Sequence, residues 1–526
     1  MKARMIGVGM ALVLGCVAGL NAQQAAAPKK APAATDVYLS IKDVNKADAY
    51  GMTALHRAVE TGDAAAIDRL IRAGANVNVM SRYHVAPLSI AAGHGDANAV
   101  QRLLKAGADP NVVMGEGEPV LMTAARAGNV EAVKALLDAG ADVTARESMY
   151  GQTAVMWAAI DNHPDVIKAL AEKGADLDTG ATLLPGTPTW REGVDNRTGI
   201  HGETLQNLNT NFSKGGLTPL AYAARQGATE SVRMLVDLGA KMNYRDGEGY
   251  TPLLLAIMNA HYDTAAALIE KGADVNQADN AGQQPLFALV DQRSLLWTYN
   301  RPVPKATNKL DSIELAKLLI AKGAKVDATL NGPARRPLGG GGSNVTGKGA
   351  TAFLRAAVVS DVPMMKLLLE KGANPKVTTA AGANALMIAS GLGWNDNTLR
   401  TATAAGFGAE EDTLEALKIL VPFGFDVNAV DAQGRTAMHG AASRGVNQVI
   451  QFLVDQGAKL DIRSKEAGGR YNASDGVTVA AVKGKTPLDE ALQSDPPRPK
   501  TVFLLRTMLG QDPNAPIPKF AADADQ

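Results

Sequence analysis

Four features of this chain carry residue types that could do chemistry. The run Gly342-Ser343-Asn344-Val345-Thr346-Gly347-Lys348 has the glycine and lysine spacing of a loop whose backbone N–H groups cradle phosphates while the lysine reaches over them. Such a loop needs Ser or Thr after the lysine to hold Mg²⁺ and an apolar strand before the first glycine. Here Gly349 follows, and Arg335, Arg336 and Gly339 to Gly342 precede. The stretch reads as a linker. Asp274-Val275-Asn276-Gln277-Ala278-Asp279 has the alternating oxygens of a calcium loop, but Ala278 stands at a ligand position and no Glu closes it. The seven histidines (His56, His84, His94, His163, His201, His261, His439) include no H-E-x-x-H pair, and no G-x-S-x-G elbow occurs, so neither a zinc site nor a hydrolase serine is expected. The fourth feature is residues 178–214, where Trp190, Arg191, Glu192, Asp195, His201 and Glu203 could line an active site. That segment has no helix or strand periodicity to hold a geometry, so an enzyme is the least favoured reading. Neither a cofactor nor a bound metal is expected.

The single cysteine, Cys16, lies in an N-terminal segment ordered like an export signal: Lys2 and Arg4, an apolar run from Met5 to Leu20, then Asn21-Ala22 and Gln23-Gln24. Cleavage after Ala22 is expected, leaving a cysteine-free chain with no thiolate nucleophile and no disulfide. The competing reading is a lipid anchor on Cys16, because Val13-Leu14-Gly15-Cys16 resembles a lipobox; the apolar run continuing to Leu20 speaks against it. The run is short for a membrane span and no second one follows, so no transmembrane span is expected in the mature chain. The signal resembles bacterial ones and predicts a periplasmic or secreted protein. Lys+Arg and Asp+Glu both number 53, which gives no basic excess to hold a nucleic-acid backbone.

The elements that must position any site are repeats. Gly74, Gly107 and Gly140 lie 33 residues apart; Gly174, Gly239, Gly272, Gly323, Gly372, Gly424 and Gly457 hold the same place, all but Gly424 followed by Ala. Two aliphatic residues stand three and four positions before most of them (Leu70-Ile71, Leu103-Leu104, Leu136-Leu137, Leu235-Val236, Leu453-Val454), with another one turn earlier (Ile67, Val100, Val133). This is the stripe of an amphipathic helix ended by a glycine. A second, shorter helix precedes each: Thr53-Ala54-Leu55-His56, Thr218-Pro219-Leu220, Thr251-Pro252-Leu253, Thr436-Ala437-Met438-His439 and Thr486-Pro487-Leu488 share one frame, in which Thr caps and Pro takes the first helical position. Alanine pairs follow (Ala91-Ala92, Ala124-Ala125, Ala158-Ala159, Ala223-Ala224), then a stop glycine at Gly62, Gly95, Gly128, Gly227 and Gly445.

These motifs resemble the ankyrin repeat, G-x-T-P-L-H-x-A-A followed by V-x-x-L-L-x-x-G-A-D-V-N. The resemblance spans residues 48–492, recurring ten times with a degraded eleventh copy at residues 485–492. It implies an all-α solenoid of about eleven helix–turn–helix units with β-hairpin-like fingers, stabilised by stacking of neighbours. The expected organisation is a signal at 1–22, a linker and cap at 23–47, units one to four at 48–177, an inserted loop at 178–214, units five to eleven with a capping helix at 215–510 and a tail at 511–526. Further insertions fall at 292–309, 331–348, 393–411 and 464–483, five inserted loops in all. The resemblance also places His56 and His439 against neighbouring backbone and implies a non-catalytic protein-binding scaffold. Contacts would come from finger tips and the ends of the short helices: Arg82, Tyr83, Glu116, Arg126, Met149, Tyr150, Arg225, Gln226, Glu248, Tyr250, Met258 and Asn259. An alternative is a carbohydrate or small-ligand site built from the insertions that carry Trp190, Trp297 and Trp394.

Overall fold

The structure is a computed structural model. It describes residues 43–184, 214–293, 308–332, 347–393, 408–465, 470–472, 477–479, 483–494 and 497–517. The export segment with Cys16, and Trp190, His201, Trp297, Trp394 and residues 342–346, lie outside the described residues.

Among the described residues eleven helix pairs follow one another. The first helices are Ala54–Glu60, Pro87–Gly93, Val120–Ala127, Ala154–Ile160, Pro219–Gln226, Pro252–Met258, Pro285–Arg293, Ala352–Val358, Ala385–Ala389, Ala437–Arg444 and Pro487–Gln493. The second helices are Ala64–Arg72, Ala97–Lys105, Val130–Asp138, Pro164–Glu172, Thr229–Asp237, Tyr262–Glu270, Ser312–Ala321, Val362–Glu370, Glu410–Leu420, Asn447–Asp455 and Pro499–Met508. First helices stack on first helices and second on second. The eleventh unit is a complete pair, which the degraded motif did not announce: Pro499–Met508 lacks the Gly-Ala ending but keeps the buried stripe of Val502 and Leu505. Two short antiparallel ribbons complete the inventory, Leu183–Leu184 with Lys214–Gly215 and Arg470–Asn472 with Val477–Val479. No described helix is long and apolar enough to cross a membrane.

The first helices of units one, five, six, ten and eleven start where the Thr frame placed them, whereas Ala86, Pro119 and Asn384 hold the capping place in units two, three and nine. The hydroxyls of Thr218, Thr251, Thr351 and Thr486 accept from the backbone three residues on. The alanine pairs are fully buried, so successive first helices approach closely. One continuous apolar core runs from the first unit to the eleventh, as a one-dimensional stack requires.

Two polar devices stitch unit to unit. At the base of the fingers, the Asn78 amide donates to Gly107 O and accepts from Asp109 N, and Asn111 does the same with Gly140 and Asp142. Asn45, Asn276 and Asn428 repeat the bond pair, and Asn243 and Asp327 provide its accepting half. Thr144 and Lys376 occupy this register without such a bond. Inside the stack, His56 Nδ1 accepts from Thr53 N and its Nε2–H donates to Val85 O of the next unit; His439 makes the same bonds with Thr436 and Lys485. Burial holds both imidazoles below their usual pKa, in the neutral form that this geometry needs.

The turn joining the two helices differs along the array. It is a single tight turn in units one to six, with positive φ at Gly62, Gly95, Gly128, Asn162, Gly227 and Ala260. In units seven and nine it is replaced by longer chain, and the neighbourhood becomes a buried polar seam. Arg355 pairs with Asp291 with both side chains buried; Arg293 bridges Asp361 and Ser312; Ser360 and Arg444 both bond Thr413.

Candidate interaction face

The finger tips are built from the turn upward. In the fingers of units one, two and four one polar side chain accepts the tip's own backbone N–H groups and so fixes its shape. Asp48 takes Tyr50 N and Met52 N; Ser81 takes Tyr83 N and Val85 N; Glu147 takes Met149 N, Tyr150 N and Gln152 N. In these three fingers the residue before the tip's left-handed position points away from the stack. Tyr50, Tyr83 and Tyr150 hold that register in units one, two and four, with exposures of 57%, 69% and 53%. The Tyr50 carbonyl accepts from Arg82 N and the Tyr150 carbonyl from Thr182 N, so the exposed rings stand on tips bonded to their neighbours.

Fingers and the open side of the first helices share one face. Asp48 on a finger pairs with Arg57 on a helix, Glu118 on a finger bonds Thr123 and lies 3.7 Å from Arg126, and Gln152 on a finger donates to Tyr222 Oη. On this floor the Arg126 guanidinium lies over the Trp157 ring at 4.6 Å and Arg225 over Tyr222 at 5.0 Å. Trp157 and Tyr222 stand at the same register of adjacent first helices, four residues after Thr153 and Thr218.

The sequence-derived contact residues divide accordingly. Arg82, Tyr83, Met149 and Tyr150 are exposed, as is Gln226; Arg126, Arg225, Glu248 and Asn259 are half-buried. Glu116 lies in the short turn Gly115–Gly117, and its side chain is outside what is described. Two are corrected. Tyr250 is buried, because it follows Gly249 rather than preceding it and faces the core. Met258 is buried too: it shares the register of Arg126 and Arg225, but with no charge to solvate it packs inward. Tyr50, Trp157 and Tyr222 were overlooked. Tyr50 precedes Gly51 just as Tyr150 precedes Gly151, and that signal was in the sequence. Beneath the sixth finger, burial raises the Asp246 carboxyl to about 6, against the backbone N–H groups of Tyr250 and Glu248 that favour its charge. Among the described residues no cluster of His, Cys, Asp or Glu could hold a metal.

A model of ankyrin repeats matches residues 88–181, 198–279 and 402–517, and a single-repeat ankyrin model matches residues 50–82. The chain belongs to the ankyrin-repeat family. It is 29% identical over 112 residues to an ankyrin repeat protein of Acanthamoeba polyphaga mimivirus, and 37% identical over 57 residues to serine/threonine-protein kinase 12 of Arabidopsis thaliana. Those matches cover 21% and 11% of this chain but only 15% and 12% of the two relatives. Among solved structures, the human ASB11 ankyrin repeat domain is similar at 20% identity and TM-score 0.37, over 52% of this chain and 99% of that one. Ankyrin repeats are generally protein–protein interaction scaffolds, and the fold is not typically enzymatic.

Proposed function

We propose that this ankyrin array is a non-catalytic docking scaffold, exported from a bacterial-type cell, that holds a protein partner along the finger edge of units one to four. The observation that carries the reading is the register: Tyr50, Tyr83 and Tyr150 project from tips whose backbones are already fixed, so binding orders little and large rings are free to contact. Met149 and Arg82 stand beside them, both exposed. Apolar rings on a rigid edge fit a protein surface, where aromatic and Arg residues concentrate binding energy. Export rests on Lys2, Arg4, the apolar run and the Asn21-Ala22 junction.

The test is cross-linking and co-purification from the native envelope, followed by titration of the recovered partner. Changing Tyr50, Tyr83 and Tyr150 together to Ala is expected to weaken binding by ~2 kcal/mol or more with an unaltered melting temperature. Silence of the tyrosines with a loss in Trp190→Ala or Trp394→Ala would move the site to the insertions. Recovery of an uncleaved Met1 in the cytoplasm would defeat export.

A further inference from the structure

We infer that the floor of units three to five is a receptor for an acidic peptide strand, with Arg126 and Arg225 as paired carboxylate forks; the inference rests on the reading of the chain as a protein-binding scaffold and names the chemistry of what it holds. Each guanidinium carbon stands over an aromatic ring, 4.6 Å from the Trp157 centroid for Arg126 and 5.0 Å from the Tyr222 centroid for Arg225. Stacking uses the planar face and leaves the edge donors for a ligand, the arrangement suited to bidentate capture of a carboxylate. Arg225 makes no ion pair among the described residues. Arg126 has only a loose one, 3.7 Å to Glu118, whose oxygen is already bonded to Thr123. Both forks are therefore held in place but unfilled.

Spacing adds the second constraint. Trp157 and Tyr222 sit on adjacent stacked helices, and helix axes in contact lie ~8–10 Å apart. Each ring carries its own arginine, so the two forks are about one such step apart. An extended strand rises ~3.3 Å per residue, so acidic residues at i and i+3 span the same distance. Arg82, Arg146 and Arg245 on the neighbouring fingers add positive charge. Against them are Glu116, Glu118, Glu248 and Asp161, together with Glu147 and Asp246, whose carboxylates accept tip N–H groups, so the selectivity for an acidic strand rests on the two ring-held guanidinium groups themselves.

The experiment is selection of phage-displayed random twelve-residue peptides on the full chain, followed by fluorescence anisotropy with the enriched peptides. The expected winners carry two acidic residues three apart. Arg126→Gln and Arg225→Gln should each weaken them roughly tenfold. Glu118→Gln should tighten them several-fold by removing the competitor of Arg126. Arg126→Lys with Arg225→Lys keeps the charge but loses the fork, and should bind only weakly. Melting curves of the four variants should superpose on the parent. Enrichment of peptides without the acidic pair, equal binding by the double Gln variant, or no enrichment at all overturns the inference. Changing Tyr50, Tyr83 and Tyr150 to Ala should leave these peptides bound, so failure of the finger-edge reading and failure of the acidic-strand reading give different results.

Discussion

Arg57 in unit one and Arg355 in unit eight stand at the same place in the repeat, four residues after the capping Thr53 and Thr351, yet they live in opposite surroundings. Arg57 is 43% exposed and reaches across open surface to Asp48 and Glu60. Arg355 is 4% exposed and is locked onto Asp291, itself buried. The contrast extends to the whole helix-turn edge. In units one to five the residues before the turn (Thr61, His94, Ala127, Asp161 and Gln226) are exposed and Asn259 of unit six is half-buried, whereas Val359, Ser360 and Asp361 of unit eight are buried. One repeat frame thus serves two purposes. Its core positions are constant, while the register four residues after the cap carries a half-exposed arginine in unit one, the buried Thr123, Tyr222 and Leu255 in units three, five and six, and a buried ion pair in unit eight.

The largest test of that contrast removes each arginine. Arg355→Ala leaves Asp291 buried without its main counter-charge and should cost ~3–5 kcal/mol in denaturant unfolding. Arg57→Ala breaks only exposed pairs and should cost less than ~1 kcal/mol. Equal losses would dissolve the distinction between the two halves. A smaller effect compares two glycines with positive φ. Gly239→Ala meets nothing within 4 Å and should cost only the left-handed strain of ~1–2 kcal/mol. Gly227→Ala puts its Cβ 2.5 Å from His261 Nδ1 of the next unit, so strain is joined by displacement of a half-buried ring, and its melting temperature should fall further.

Acid response should be shared by the halves. The folded pKa of His56 and of His439 lies below the unfolded value, mainly through burial, so the unfolded chain binds more protons. Stability from both is therefore full above pH ~6.5 and is lost as pH falls below it. Asp246 acts in the opposite sense: raised to about 6 from 3.8, it takes a proton first in the folded state and adds stability as pH falls between those values. His56→Gln and His439→Gln should each flatten the decline of melting temperature on acidification, and Asp246→Asn should steepen it. The smallest change relieves backbone strain. Ala260 and Ser360 have φ of 57° and 54° at the turn where other units use glycine. Glycine at either place should be neutral or stabilising by up to ~1 kcal/mol, since relief of ~1–2 kcal/mol is offset by its larger unfolded-chain entropy. A loss at Ser360 with none at Ala260 would show that the buried turn needs its hydroxyl, which bonds Thr413.

The fold was legible because most units state it twice, in the Thr-to-Ala-Ala frame and in the Leu-Leu to Gly-Ala frame. Stop glycines, alanine pairs and the His56 and His439 bridges stand where the residues implied. The interaction face was legible only in part. Periodicity tells which residues leave the core, so Tyr83 and Tyr150 were found, but a one-residue difference in tip register misplaced Tyr250. Nothing in the local pattern separates Arg126, which lies across a neighbouring indole, from Met258, which turns inward from the same register. The Asp291–Arg355 and Arg293–Asp361 pairs were not anticipated at all. Their partners are more than sixty residues apart, and Arg355 holds a register that other units fill with residues as different as Arg57, Trp157 and Tyr222.

The amide ladder at the base of the fingers gives the array a mechanical profile. Asn45, Asn78 and Asn111 clamp the first fingers in sequence, Thr144 breaks the run, Asp178 to Asp327 resume it, and Lys376 breaks it again before Asn428. Pulled from its ends, such a chain behaves as stiff rods joined at two weaker couplings, and the first extension under load should occur there, releasing whole blocks of repeats rather than single units. A cargo held on the first three units would then ride on one rigid block, whereas one spread along the finger edge of units one to four would bridge the first weak coupling.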